Sequence, residues 1–406
     1  MSEQDLPLAG IRVVEFCHMI MGPSCGLILG DLGADVIKVE PTPNGDNTRR
    51  LAGSGAGFFP AFNRNKRSIA LDLKSKEGLE IARKLIASGD VLTENFRPGA
   101  MTKLGLGAED ATALNPRLIY CSLKGFLSGP YSHRAALDEI AQMMGGLAYM
   151  TGPPGRPLRA GASVIDMMGG MFAVIGIMAA LREREKTGRG QPVTSALFEN
   201  CAWVVAQHMM QYAITGQAAR PMPERISAWG IYDVFDCKDG QLFVGVVTDT
   251  QWKLFCEAFG FEEMWRDESL VTNNQRCAAR PTLIPRLREI FKTWSKADLE
   301  AKVAAAGLPY APITRPEQLY DDPHLKVSGA LLPITLPDGR KTEIPALPFE
   351  LGGRRFTVWR DIPGVGQQGA EVLADIGLDR EEIASLIERG IVGAPDGPAT
   401  KTQAAE

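Results

Sequence analysis

Histidine is scarce in this chain of 406 residues: there are four, at positions 18, 133, 208 and 324. Their dispersal excludes an H-E-x-x-H helix and a histidine-built zinc set. The seven cysteines, at 17, 25, 121, 201, 237, 256 and 277, have no metal-type spacing. An odd, scattered set fits reduced thiols better than a disulfide framework. Neither sign of charge dominates, since 44 Lys and Arg against 48 Asp and Glu leave a net charge of −4, with no basic footprint for nucleic acid. The opening MSEQDLPLAG lacks the basic and apolar regions of a secretory signal. The longest apolar run, 167–181, is short and interrupted by glycines, so a buried core helix is expected there rather than a bilayer span. These absences predict a cytoplasmic protein with no metal, no nucleic-acid partner and no membrane.

What is present is an alternation. IRVVEF (11–16) and ADVIKVE (34–40) read as strands joined by a small-residue loop and a short helix. SIALDL, VLTENF and RLIYCSL (117–123) continue as strands, separated by helical patterns over 74–90 and up to 114. The pattern predicts a doubly wound α/β domain with a parallel sheet and ligands at the C-terminal strand ends. The first turn, CHMIMGPSCG, lacks the glycine-rich dinucleotide fingerprint, which disfavours a nicotinamide cofactor. The strand ends offer His18, Lys38, Lys74, Asn95, Arg97, Lys103 and Lys124. Singly each reads as a solvated surface group, and together they could hold phosphates.

Further along, 137–148 reads as a helix with Asp138 and Glu139 in its dipole-favoured first turn, as surface caps. Residues 193–216 read as a second long helix, with Met209, Met210 and the aromatics as core. A polar, proline-containing linker is expected at 217–229. A hairpin follows around Lys238, Asp239 and Gly240, then helices from 250 to about 305, a second Asp-Gly hairpin in 331–347 and a helical tail over 371–392. Beyond 393 the composition predicts a frayed end.

The stretch RAGASVIDMMGG (159–170) places a single carboxylate, Asp166, where a small-residue approach becomes an apolar helix. It can be read as a helix N-cap. It can also be read as a nucleophile, with adjacent glycines leaving room for a ligand.

The segments LAGIRVVEFCHMIMGPSCGLILGDLGADVIKVEP, FNRNKRSIALDLKSKEG, TENFRPGAMTKLGL, GASVIDMMGGMFAVIGIMAALREREKTGRGQPVTSALFE and AGLPYAPITRPEQLYDDPHL are similar to the class III CoA-transferases. That family includes formyl-CoA and carnitine CoA-transferases and the related α-methylacyl-CoA racemases. The resemblance implies a Rossmann-like large domain (1–216, completed by 328–406), a linker (217–229) and a smaller α+β domain (230–327). It also implies a homodimer whose protomers thread one another as interlocked rings. It places the nucleophile at Asp166 and coenzyme A, as substrate, against His18, Met21, Leu71, Lys74, Asn95, Phe96 and Lys103, with Lys124 and Asp138 as further CoA-site candidates. An acyl-aspartyl anhydride and an aspartyl-CoA thioester would then carry the exchange.

The racemases place a histidine directly before the aspartate matching Asp138, and this chain has Leu137 there. Leucine exchanges no proton, so a transferase is expected over a racemase. The glutamine and glycine-only loop of the oxalate enzymes are also missing, with Ile20 in the glutamine's place. We expect succinyl-CoA as donor and a C5 dicarboxylate such as itaconate, mesaconate or citramalate as acceptor. Arg156, Arg159 or Arg225 is the candidate for pairing its second carboxylate. A catalytically dead CoA-binding homologue is the reading from another class, and the intact Asp166 speaks against it.

Overall fold

Six short strands build one parallel sheet: β1 (Arg12–Phe16), β2 (Asp35–Pro41), β3 (Lys66–Leu71), β4 (Val91–Glu94), β5 (Ile119–Lys124) and β6 (Pro192–Ala196), in the order β3-β2-β1-β4-β5-β6. The computed structural model describes residues 6–394; the frayed end expected past 393 falls almost wholly outside the described residues. Because side chains alternate across a strand, Val13, Val36, Val91 and Ile119 enter one apolar core, while Val14, Ile37, Leu92 and Tyr120 enter the other. Both faces are therefore covered, as a parallel sheet requires.

The helices of this part are α1 (Met21–Asp31), α2 (Phe58–Phe62), α3 (Lys76–Ser88), α4 (Ala100–Lys103), α5 (Ala108–Leu114), α6 (Asp138–Met144), α7 (Leu147–Thr151), α8 (Val164–Thr187), α9 (Leu197–Val204) and α10 (Ala206–Thr215). α1 and α8 fill the first core, and α3 and α5 line the second together with the C-terminal helices Gly369–Asp375 and Arg380–Glu388. By fold the chain divides into two compact units. One runs to Ala219 and resumes at Pro323; the other is Arg220–Asp322. The second is an antiparallel sheet of β7 (Ile231–Cys237), β8 (Gly240–Val246) and β9 (Tyr310–Pro312), packed with helices around Trp252, Phe255, Leu287 and Phe291. A last hairpin, β10 (Leu331–Thr335) with β11 (Lys341–Pro345), belongs to the first unit.

Three expectations are corrected. Residues 193–216 are not one helix: Pro192, Val193 and Thr194 start the edge strand β6, paired to β5, because β-branched residues suit an edge strand and proline is tolerated there. Met209 and Met210 are not core, being 60% and 57% exposed in α10, which buries no residue. The helix expected over 137–148 breaks at Gly145 and Gly146, where Gly146 takes a φ of +86° that other residues resist.

α8 is longer than its apolar run, 24 residues, and is the described helix whose length and composition would allow it to cross a bilayer. Only one face is buried, including Ile165, Gly169, Gly170, Ala173 and Ile177. Met167, Met171, Ile175 and Met178 are exposed on the other.

Candidate active site

In the order β3-β2-β1-β4-β5-β6 the direction of winding reverses between β1 and β4, and the loops leaving these two strands part to open a crevice. His18 follows β1 and Asn95 follows β4. The His18 N–H donates to Asn95 Oδ1 at 3.0 Å and Asn95 Nδ2 donates to the His18 carbonyl at 2.7 Å, so one amide side chain ties the two loops together. Met19, next in line, has a φ of +64°, an uncommon conformation for a side chain of its kind, at the cavity edge. Burial holds His18 below the usual histidine value, against the opposing pull of Asp46, so the imidazole is neutral at physiological pH.

The cavity behind these loops has a volume of about 460 Å³. It brings together His18, Met21, Asn95, Phe96, Arg97, Lys124, Asp138, Arg159 and Asp166 from the residues singled out in the sequence. Leu71, Lys74 and Lys103 lie outside it: Leu71 is buried at the end of β3, and the two lysines are exposed. Arg156 is exposed outside the cavity lining, and Arg225 lies in the other unit, donating to the Tyr232 carbonyl at 3.4 Å. Lys38 is not a strand-end phosphate ligand. It is fully buried, donates to the Cys17 carbonyl at 2.7 Å and pairs with Asp46 at 2.9 Å, beneath the loop rather than on it.

The start of α8 overturns the reading of Asp166 as N-cap. Ser163 holds the cap position without a capping hydrogen bond, and Asp166 is the third residue of the first turn. Asp138 does the capping from α6: its Oδ2 accepts from the N–H of Ile165 at 2.9 Å and of Asp166 at 3.1 Å. The other oxygen accepts from Gln142 Nε2 at 2.6 Å and faces Arg159 Nη2 at 3.2 Å. Gln142 in turn accepts from the Ala160 N–H at 2.8 Å, fixing the approach to the helix. Asp138 is buried, so it is not the surface cap read from the sequence. Two orphan N–H groups of a helix start are satisfied by one carboxylate, worth about 1 kcal/mol or more.

Asp166 is thereby left free. Its half-buried carboxylate makes no hydrogen bond or ion pair among the described residues. Burial, and then the negative charge of Asp138, push it up to about 7, with Arg159 pulling the other way. A carboxylate so raised is a stronger base and nucleophile once ionised.

The glycines after it do not make room for substrate. A Cβ on Gly169 would meet the Met21 side chain, and one on Gly170 would overlap Ser24 Oγ and the Met21 carbonyl. Their role is to let α1 and α8 touch. Lys124 is held by Glu94 at 2.7 Å and by the Phe96 carbonyl at 2.7 Å. The sequence reading missed Phe58 and Arg134 and took Glu139 for a surface cap, and all three line the cavity; the nearness of Arg134 and Glu139 to Asp138 was the available signal. Among the described residues no three His, Cys, Asp or Glu side chains are placed to hold a metal ion.

A profile of CoA-transferase family III matches residues 8–369. The chain is 35% identical to a succinate–glutarate CoA-transferase of Agrobacterium fabrum, over 93% of this chain and 97% of that protein. It is 31% identical to a succinyl-CoA–D-citramalate CoA-transferase of Chloroflexus aurantiacus, over 95% and 98%. The crystal structure of a CaiB/BaiF family protein from Brucella suis matches with a TM-score of 0.82 at 35% identity, covering 92% of this chain and 100% of that one. With a six-stranded parallel sheet, a carboxylate at the mouth of α8 and these relatives over nearly its whole length, the chain belongs to CoA-transferase family III and is an enzyme of that type.

Proposed function

We propose that this enzyme moves CoA from succinyl-CoA to a five-carbon dicarboxylic acid, of the kind exemplified by itaconate, mesaconate and citramalate, through covalent intermediates on Asp166. The observation that carries the reading is the unpartnered carboxylate of Asp166, raised to about 7, on the wall of the cavity. The relatives named for glutarate and D-citramalate, both five-carbon dicarboxylates, support the acceptor class.

The chemistry follows from a carboxylate nucleophile. Asp166 attacks the thioester carbonyl, the C–S bond breaks, and a mixed anhydride and CoA thiolate form. The thiolate attacks the aspartyl carbonyl, releasing the donor acid and leaving an aspartyl-CoA thioester. The acceptor carboxylate attacks that thioester, giving a second mixed anhydride and free thiolate. Attack of the thiolate on the acceptor's acyl carbon yields the new acyl-CoA and restores Asp166. Over the full cycle one thioester replaces another and one free carboxylate replaces another, so the net driving force is small. Every attack develops an oxyanion. The start of α1 has no side-chain cap and borders the cavity, which supports it as the oxyanion site. The N–H groups of Gly169 and Gly170 lie inside α8 against α1 and do not.

Leu71, Lys74 and Lys103 remain our assignment for the extended remainder of CoA. The exposed apolar residues of α8 and α10 support a homodimer, and seven unpaired cysteines support a reducing, cytoplasmic setting. The test is incubation with succinyl-CoA, with and without hydroxylamine, followed by mass spectrometry. A hydroxamate or CoA adduct on the Asp166 peptide is expected; wild-type exchange rates in Asp166→Asn would refute the mechanism. Deuterium wash-in at the α-carbon of a 2-methylacyl-CoA would instead favour the racemase.

A further inference from the structure

We infer that Arg134 anchors the distal carboxylate of a dicarboxylic acyl group, an inference that rests on the CoA-transfer reading of the cavity. The cations lining that cavity differ in what already occupies them. Lys124 is paired with Glu94 and Arg159 with Asp138. Among the described residues the Arg134 guanidinium has no ion pair and no side-chain hydrogen bond, although it lines the same cavity as Asp166. Glu139 lines it too and makes no ion pair with Arg134.

Arg134 is held by rings instead. Its guanidinium carbon lies 5.1 Å from the centre of Tyr131 and 5.7 Å from that of Phe126. Those two rings meet edge to face at 5.7 Å, and Phe126 packs on Phe198 at 5.6 Å. Phe126 is buried, so the platform is anchored in the fold. Ring contacts orient a guanidinium without using up its N–H donors, and the planar fork remains available for a carboxylate. Arg97, the other unpaired arginine of the cavity, has no such platform. A pre-oriented, uncompensated fork in the compartment of the nucleophile discriminates by charge: a dicarboxylic acid completes it, and a monocarboxylic acid leaves it open. A phosphate of CoA offers the same oxyanion chemistry, but the pantetheine arm separates the phosphates from the thioester that must reach Asp166.

The experiment compares glutarate with valerate, acids of equal chain length, as acceptors from succinyl-CoA in the full-length enzyme. The donor half-reaction is common to both, so the ratio of their kcat/KM values isolates the acceptor. In Arg134→Met the ratio should fall about 10- to 100-fold, with valerate little changed and CoA affinity by calorimetry the same as wild type. Arg134→Lys, which keeps the charge and loses the fork, should fall between. Equal losses for both acids would overturn the inference, and so would weakened CoA binding with the acid ratio intact, which would place a phosphate on Arg134. Calorimetric binding of the two acids to wild type and Arg134→Met reads Arg134 without turnover. A wild-type enzyme that binds glutarate through Arg134 but transfers no CoA would refute the proposed function and leave the anchor standing.

Discussion

Among the buried charges of the larger unit, two groups are treated in opposite ways. Beneath the first loop, Glu15, Lys38 and Lys66 are wholly buried and fully engaged. Lys66 reaches both Glu15 oxygens at 3.0 and 2.9 Å, the Pro23 carbonyl at 3.0 Å and Asn63 at 3.1 Å. Burial alone would lower Lys38, yet Glu15 and Asp46 more than reverse it. At the start of α8, Asp166 has no hydrogen-bonded or ion-pair partner among the described residues and faces a second carboxylate, with only the more distant charge of Arg159 opposing. The first cluster is closed on itself beneath the loop, while Asp166 is left without a partner, the condition our proposed mechanism needs.

The largest effect expected from breaking this contrast is in Asp166→Asn. With Asp166 as the proposed nucleophile, its loss should lower CoA transfer by about 10³-fold or more, with the fold retained. A carboxylate raised in the folded state contributes stability below the usual carboxylate value, and loses it as pH rises through about 7. The asparagine variant escapes that loss, so its melting temperature should exceed wild type by roughly 2–4 °C at pH 8. Near pH 4 the two should match. An equal offset at both pH values would mean that Asp166 is not strained by its site.

The next effect is structural. Lys66→Met leaves Glu15 in the core with only Lys38, at 3.5 Å, as its ionic partner and should cost about 3–5 kcal/mol in denaturant unfolding. A loss within the range of a surface substitution would show that the cluster is not held as its geometry indicates.

The smallest change sharpens the comparison. In Asp138→Asn one negative charge beside Asp166 disappears while an acceptor for the helix N–H groups remains. For wild type, kcat/KM should rise with pH through about 7 as Asp166 ionises. In the variant that limb should move to lower pH, with about 1 kcal/mol of stability lost. An unmoved limb would leave burial as the sole cause of the shift.

The sheet was readable because apolar strands alternated with helices over short distances; Asp166 was singled out because its surroundings resemble a known family, and the structure places it on the cavity wall. The pairing that shapes Asp166 was not readable. Asp138 lies 28 positions earlier, and its local context, a helix first turn, explains it equally well as a surface acid. Lys38 misled for the same reason: position at a strand end does not tell whether a lysine faces solvent or the layer below. Met209 and Met210 have the period of a core helix, and composition cannot say whether an apolar face meets its own chain.

The near-contact of α1 and α8 through Gly169 and Gly170 has a consequence for divergence. α1 follows the loop that carries His18, and α8 carries Asp166, so two walls of the cavity form a single block with no slack between them. Neither Gly169 nor Gly170 can take a side chain without displacing α1. Variation in which acid is accepted therefore has its freest ground in the exposed loop before Asp138, where Tyr131, Arg134 and Leu137 can change without disturbing the seam. The seam belongs to the frame, and the loop at its edge is free to vary.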